Sequence, residues 1–399
     1  MNTMLAPDAE YWQQRGHLFV VADGMGAHAA GELASKLASD DIPLTYAKHT
    51  KLAPPLALRQ AIIEANLKIH EKGRANSEFQ GMGTTCSTLL LLPAGAVIGH
   101  VGDSRVYRLR GEVLEQMTFD HSLVWEMRRA GQIPGGVENV HLPKNIITRS
   151  LGPNTEVQVD LEGPLPVQPG DIFLLCSDGL TGPVSDRELA AILMAMPPDQ
   201  AVRTLVDLAN LRGGPDNITA IVVQILALPE GAVDATARTA QRVSATTLLL
   251  ALAGVFCLAT VTLGLLQFKL PALLSAVVAL VAGIVAMLRR FESKTDAGAG
   301  NRGRKVESAP YVTTSVSPDA EVVQQFQSVA QELQKSAMES GREVDWQNFE
   351  RRTAAAESAW QEGDLVAAVR HFGGALSFAV EQLKHPASAK SPSDSHVDL

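Results

Sequence analysis

Residues 85–109 read TCSTLLLLPAGAVIGHVGDSRVYRL. Three runs of β-branched and leucine-rich residues, Thr85–Leu92, Ala96–Val101 and Val106–Leu109, are separated by short turns of Gly, Pro, Asp and Ser. Strands that follow one another as hairpins predict antiparallel sheets covered by helices and argue against a doubly wound parallel sheet. Outward from this stretch, similar runs at Leu18–Ala22, Asp171–Cys176 and Ile218–Ile225 supply further strands. Helices are predicted at Gly31–Ala38, Pro55–Lys72, Leu123–Ala130, Asp186–Ala195 and Asp199–Leu211, some opened by Pro or Asp near the first turn. Residues 1–228 therefore read as one mixed α and β domain.

A length of 399 residues predicts two or three folded units. The formal net charge of -9 gives no electrostatic reason to bind nucleic acid, because a phosphate backbone favours a basic stripe. Cys86, Cys176 and Cys257 lie far apart and form no C-x-x-C pair, which argues against a disulfide framework or zinc site and for a reduced, intracellular domain. Met1 to Gln14 has neither the basic region nor the apolar stretch of a secretory signal, so any membrane insertion comes from later in the chain.

Pro229 to Ala245 loses the apolar periodicity and reads as a linker. Within 246–289, Leu248–Leu266 and Leu270–Leu288 hold no charged residue, and each is close to the roughly 20 residues that cross a hydrocarbon core. Only Gln267, Phe268 and Lys269 separate them, so the pair predicts a transmembrane hairpin. Arg238 and Arg242 precede the first run, and Arg289, Arg290, Lys294, Arg302, Arg304 and Lys305 follow the second, whereas the turn offers Lys269 alone. Positive charge on both flanks places the N-terminal domain and the C-terminal region in the cytoplasm, at the inner face of the cell membrane. Residues 290–319 read as a flexible spacer. Helical spacing returns over 320–385, at Ala320–Met338, Asp345–Trp360 and Leu365–Lys384. Ala359, Gly363, Asp364, Ala368, Phe372, Ala375 and Leu376 stand as in one tetratricopeptide unit, which leaves open a repeat that binds a protein partner or a plain helical bundle. Residues 386–399 are polar, Ser-rich and read as disordered.

Asp23, Asp103, Asp178 and Asp216 sit at predicted strand ends beside small or turn-forming residues. Carboxylates on rigid elements, with neighbouring glycines that let carbonyls and waters approach, suit hard cations. Magnesium and manganese prefer oxygen ligands, keep several waters and, as a pair, activate a water for in-line attack on a phosphate. One Asp-Gly is most often a plain turn; the recurrence at strand ends is what points to a site.

The ordered blocks Asp23-Gly24-Met25-Gly26-Ala27-His28, Gly81-Met82-Gly83-Thr84-Thr85, Gly99-His100-Val101-Gly102-Asp103-Ser104-Arg105, Asp120-His121-Ser122, Asn145-Ile146-Ile147-Thr148-Arg149-Ser150-Leu151-Gly152, Ser177-Asp178-Gly179-Leu180 and Asp216-Asn217-Ile218-Thr219 resemble the bacterial branch of the metal-dependent (type 2C, PPM) serine/threonine protein phosphatases. The resemblance implies an α+β fold of two packed antiparallel sheets flanked by helices, and hydrolysis of phosphoserine and phosphothreonine in proteins by a metal-activated water. By the same resemblance Asp23 bridges two central manganese or magnesium ions and the Gly24 carbonyl joins the first. Asp178 and Asp216 are the remaining central carboxylates, and Asp103 with Asp178 forms a third, weaker metal site. His28 falls where a histidine either donates a proton to the leaving seryl or threonyl oxygen or caps the following helix. Asp120-His121-Ser122 is read as a helix N-cap before Leu123 in preference to an acid–base pair, and Gln132 to Pro143 as a mobile flap. The implied partners are phosphorylated proteins, with membrane-bound serine/threonine kinases among them.

The family usually opens with an Arg-x-x-Asn-Glu-Asp-like block whose arginine grips the substrate phosphate, and nothing here matches it. Asp8 lies at a suitable distance before Asp23, but no arginine precedes it. The expectation is a chain that starts downstream of the family's usual beginning and lacks that bidentate phosphate contact. Ala27 also stands where glycine is usual. The competing reading is a catalytically weak or inactive membrane scaffold that senses phosphoproteins; the retained aspartates argue against it, since such a cluster repels itself without metal.

Overall fold

The computed structural model describes residues 1–26, 28–133, 146–228, 309–315 and 319–384, and scattered positions between 257 and 280. The expected linker at 229–245, most of both apolar runs, most of the flap and the tail 386–399 lie outside the described residues. Among the described residues no helix is long and apolar enough to cross a membrane.

Strands β1 (Asn2–Met4), β2 (His17–Val21), β5 (Cys86–Leu92), β6 (Gly95–Val101) and β9 (Asp160–Leu165) form one five-stranded sheet in the order β1-β2-β5-β6-β9. The second sheet, also five-stranded, runs β11 (Ala220–Gln224), β10 (Ile172–Cys176), β7 (Arg105–Arg110), β8 (Val113–Gln116), β12 (Val312–Ser315). A short pair joins β3 (Gly24–Met25) to β4 (Gly83–Thr84). Every ladder is antiparallel, as the hairpin reading of 85–109 requires: Cys86 faces Val101 and Leu92 faces Gly95.

Period-2 alternation divides each strand between two cores. Phe19 and Val21 of β2, Leu89 of β5 and Ile98 of β6 meet Val106, Phe173 and Leu175 of the second sheet between the layers. The opposite face of the first sheet, with Leu18, Val20, Leu90 and Val97, is covered by α2 (His28–Lys48) and α3 (Pro54–Ala75). Each fully buried Leu, Val or Phe contributes about 1.5–3 kcal/mol relative to an exposed one. Helix α2 runs well beyond the expected Gly31–Ala38 despite Pro43. Ala30, Ala34, Ala38, Ile42 and Tyr46 recur every fourth residue and are all buried, so packing outweighs the missing proline hydrogen bond. A further short helix, α1 (Ala9–Arg15), is capped by the Asp8 carboxylate, which accepts from the Tyr11 N–H.

The outer face of the second sheet carries Tyr107, Leu109 and Leu174, and α6 (Asp186–Ala195) and α7 (Pro198–Leu211) lie over it. Between β8 and β10 comes α4 (Leu123–Arg129), and a single turn, α5 (Asp178–Thr181), precedes α6. The C-terminal helices α8 (Ala320–Glu339), α9 (Trp346–Gln361) and α10 (Leu365–Lys384) share one hydrophobic core with α6 and α7. Phe372, Leu376 and Val380 of α10 belong to it, as do Leu189, Ile192 and Leu205. The Arg370 guanidinium donates to the Ala195 carbonyl at 2.6 Å, and Lys384 pairs with Asp207 at 2.9 Å. The segment expected as a flexible spacer, 290–319, contains strand β12, with Val312 opposite Gln116 and Ser315 opposite Val113. The third helical stretch, read as a repeat or bundle with a face for a partner, therefore has much of its apolar face occupied by the domain itself.

Candidate metal centre

All four singled-out aspartates come from one end of the two sheets. Asp23 follows β2, Asp103 lies in the turn by which the chain passes from β6 to β7, Asp178 opens α5 just after β10, and Asp216 precedes β11. The backbone around each is pinned. The Asp23 N–H donates to Thr85 Oγ1 at 3.0 Å, while its carbonyl accepts from the Thr85 N–H and the Thr84 hydroxyl, both at 2.8 Å. Thr85 Oγ1 is in turn 2.6 Å from Ser104 Oγ, which couples the Asp23 and Asp103 turns. Across the second sheet the Ser177 hydroxyl donates to the Asn217 carbonyl at 3.1 Å and accepts from the Thr219 N–H at 3.0 Å, tying Asp178 to the Asp216 loop.

Asp23, Asp103 and Asp178 lie close enough to the other carboxylates to feel their charge. Burial pushes the Asp23 carboxyl up to about 7, helped by the charges of Asp178, Asp216 and Asp103. Asp103 is also pushed up to about 7, first by burial and then by Asp178 and Asp120, with Arg105 offsetting part of the rise. Asp178 is raised by burial and by Asp216, and its hydrogen bond with Asp23 pulls the other way. Among the described residues none of the four forms an ion pair. Carboxylates that range from buried Asp103 through half-buried Asp23 and Asp178 to exposed Asp216, that repel one another and that form no such pair, fit divalent metal as their counter-charge.

Among the described residues no three His, Cys, Asp or Glu side chains converge as a shell around one ion. Magnesium and manganese take one or two carboxylates and complete their octahedra with water, so a site for them does not require such a shell. At Gly24 a Cβ would stand 2.0 Å from the Gly31 carbonyl oxygen, so the tight approach of this loop to α2 requires glycine. His28 begins α2, and its side chain, like Ala27, lies outside the described residues.

Asp120 and His121 do not form an acid–base pair. The Arg105 guanidinium donates to both Asp120 oxygens at 2.6–3.0 Å. The His121 ring lies between Gly102 and Asp160, and Ser122 gives its carbonyl to Glu126 as the first bond of α4. Arg105, the cation felt by Asp103 and Asp178, is thereby committed to Asp120 and Tyr107. Cys86 and Cys176 are buried, which pushes both thiols up to about 12 and removes them as nucleophiles. No motif signalled Asp160.

Stacked antiparallel sheets that end in a group of carboxylates without an ion pair among the described residues fit a metal-dependent hydrolase. Residues 6–226 match the family described as Protein phosphatase 2C, and the chain belongs to that family. It is 38% identical over 213 residues to the protein phosphatase PhpP of Streptococcus pneumoniae, a match that covers 52% of this chain and 85% of that one. It is 40% identical over 212 residues to the serine/threonine phosphatase stp of Listeria monocytogenes, covering 52% and 84%. The solved serine/threonine phosphatase PstP/Ppp of Mycobacterium tuberculosis is 33% identical over 53% of this chain and 88% of that chain, with a TM-score of 0.48. The protein is a metal-dependent serine/threonine protein phosphatase.

Proposed function

We propose that the chain dephosphorylates phosphoserine and phosphothreonine at a binuclear manganese or magnesium centre, and that segment 229–308 tethers it to the cytoplasmic face of the cell membrane. The observation that carries the first part is the mutual elevation of Asp23, Asp103 and Asp178, none of which forms an ion pair among the described residues. Hard cations bound here would lower the pKa of a coordinated water and offset the charge of the phosphoryl oxygens. Asp23, Asp178, Asp216 and the Gly24 carbonyl would hold them, and Asp103 with Asp178 would serve the weaker third site. His28 hands a proton to the departing seryl or threonyl oxygen.

Three features support the tether. Leu228 and Ala309, the described residues on either side of the segment, pack against the same inter-sheet core. A segment that leaves and re-enters one domain crosses a bilayer an even number of times, which two apolar runs satisfy. Large apolar side chains described within those runs are strongly exposed: Leu258 at 71%, Leu265 at 79% and Leu273 at 66%. Such a tether raises the local concentration of the enzyme near membrane-bound phosphoproteins, serine/threonine kinases among them.

Full-length protein in detergent is expected to release phosphate from a phosphothreonine peptide only with manganese or magnesium, to stop in excess EDTA and to recover on adding manganese back. Turnover that persists unchanged in EDTA would sink the metal reading. In cell fractions the chain should stay with membranes through an alkaline carbonate wash, and release by that wash would refute the tether alone.

A further inference from the structure

His121 and Asp160 remain outside the function just described, yet they hold the turn that carries Asp103. His121 grips Gly102 from both sides: its ring Nδ1 accepts from the Gly102 N–H at 2.9 Å, and its own backbone N–H donates to the Gly102 carbonyl at 2.8 Å. Because Nδ1 accepts, the ring proton sits on Nε2, which donates to Asp160 Oδ2 at 2.9 Å. The other Asp160 oxygen accepts from Arg149 at 2.7 Å. The His121 ring is fully enclosed, with the His100 ring stacked 4.9 Å away. An enclosed imidazole with both nitrogens used in one tautomer is a rigid strut from β9 to the β6–β7 turn.

We infer that His121, locked in its tautomer by Asp160, is a positioning residue that sets the direction of the Asp103 carboxylate. The inference rests on the metal-centre reading for its consequence and on the hydrogen-bond chain for its geometry. Ligands need partners that orient them, and removing such a partner lowers metal affinity by about 10–100-fold. The chain also gives Asp120-His121-Ser122 and Thr148-Arg149-Ser150 a common task. His121 and Arg149 meet at one carboxylate that neither block contains.

The test uses the full chain in detergent and two readouts. In hydrogen–deuterium exchange without metal, Asp160→Ala should speed exchange over 101–104 while leaving the β10 ladder as protected as in the unmodified protein. His121→Gln, whose amide can accept from Gly102 and donate to Asp160, should keep that protection, and His121→Leu should lose it. In calorimetric manganese titrations Asp160→Ala should weaken the weakest binding phase by about tenfold or more, as loss of an orienting partner does, and spare the tighter ones. Unchanged exchange over 101–104 in Asp160→Ala overturns the inference. So does protection lost evenly across the first sheet, which is what a purely structural role predicts. Unmodified protein that takes up no manganese overturns the metal-centre reading instead, and the exchange data then decide the positioning role by themselves.

Discussion

Asp23→Asn is expected to abolish manganese-dependent hydrolysis of a phosphothreonine peptide and, in the same molecule, to make the metal-free protein harder to unfold at pH 8. The loss of activity should exceed the about 10–100-fold that follows removal of a mere orienting partner, because Asp23 faces all three other carboxylates. The gain in stability follows from linkage. Burial and its neighbours push the Asp23 carboxyl up to about 7 in the folded chain, whereas an unfolded aspartate titrates near its ordinary value of about 3.9. Between those values the native state keeps a proton that the unfolded state has lost. Stability without metal therefore falls as pH rises through that window. Asp103, also pushed up to about 7, adds a slope of the same sign. Thermal melts from pH 5 to 8 should show the decline in the metal-free chain, a shallower one in Asp23→Asn, and a shallower one again with saturating manganese, which takes the proton's place. A flat profile without metal would mean that neither burial nor the neighbouring carboxylates raise these groups in the folded chain.

Phe372→Ala, far from the metal centre, is expected to destabilise the catalytic domain by about 3–5 kcal/mol, the range for emptying a fully buried aromatic site. Phe372 is 1% exposed and shares its core with Leu189 and Leu205. Next to it, Gly373 lets α10 sit close: a Cβ there would lie 2.3 Å from Met196 Cε and 2.9 Å from Thr204 Cγ2. Urea unfolding of the full chain, followed by phosphatase activity and by helix signal, should give coincident transitions that shift together in the variant. Activity that survives after the C-terminal helices have melted would show two independent domains.

The contrast between these two sites marks what a sequence shows. The hairpins of 85–109 were legible because alternation and turn chemistry are local, and the aspartates because each carries its glycine or turn residue beside it. Edge strands left no such trace. Asp160–Leu165 contains charge, Gly and Pro, and Val312–Ser315 is four polar-leaning residues; both are strands only because β6 and β8 offer them a free edge. Pro43 hid the second half of α2, where buried small residues decide the outcome. The His121–Asp160 contact joins residues 39 apart with no motif on the second partner. The apolar stripe of α10 was visible at helical spacing, but nothing in it names the surface of α6 and α7 that it covers.

Strand β12 and helix α10 are also the last parts of the domain to be translated. While a ribosome is still working through 229–308, the outer edge of β8 has no partner and the apolar faces of α6 and α7 have no cover. At about 5–20 residues per second, that interval lasts seconds, and closing so distant a contact adds its own delay. The second sheet and the core over α6 and α7 are thus complete only after the intervening segment has been made.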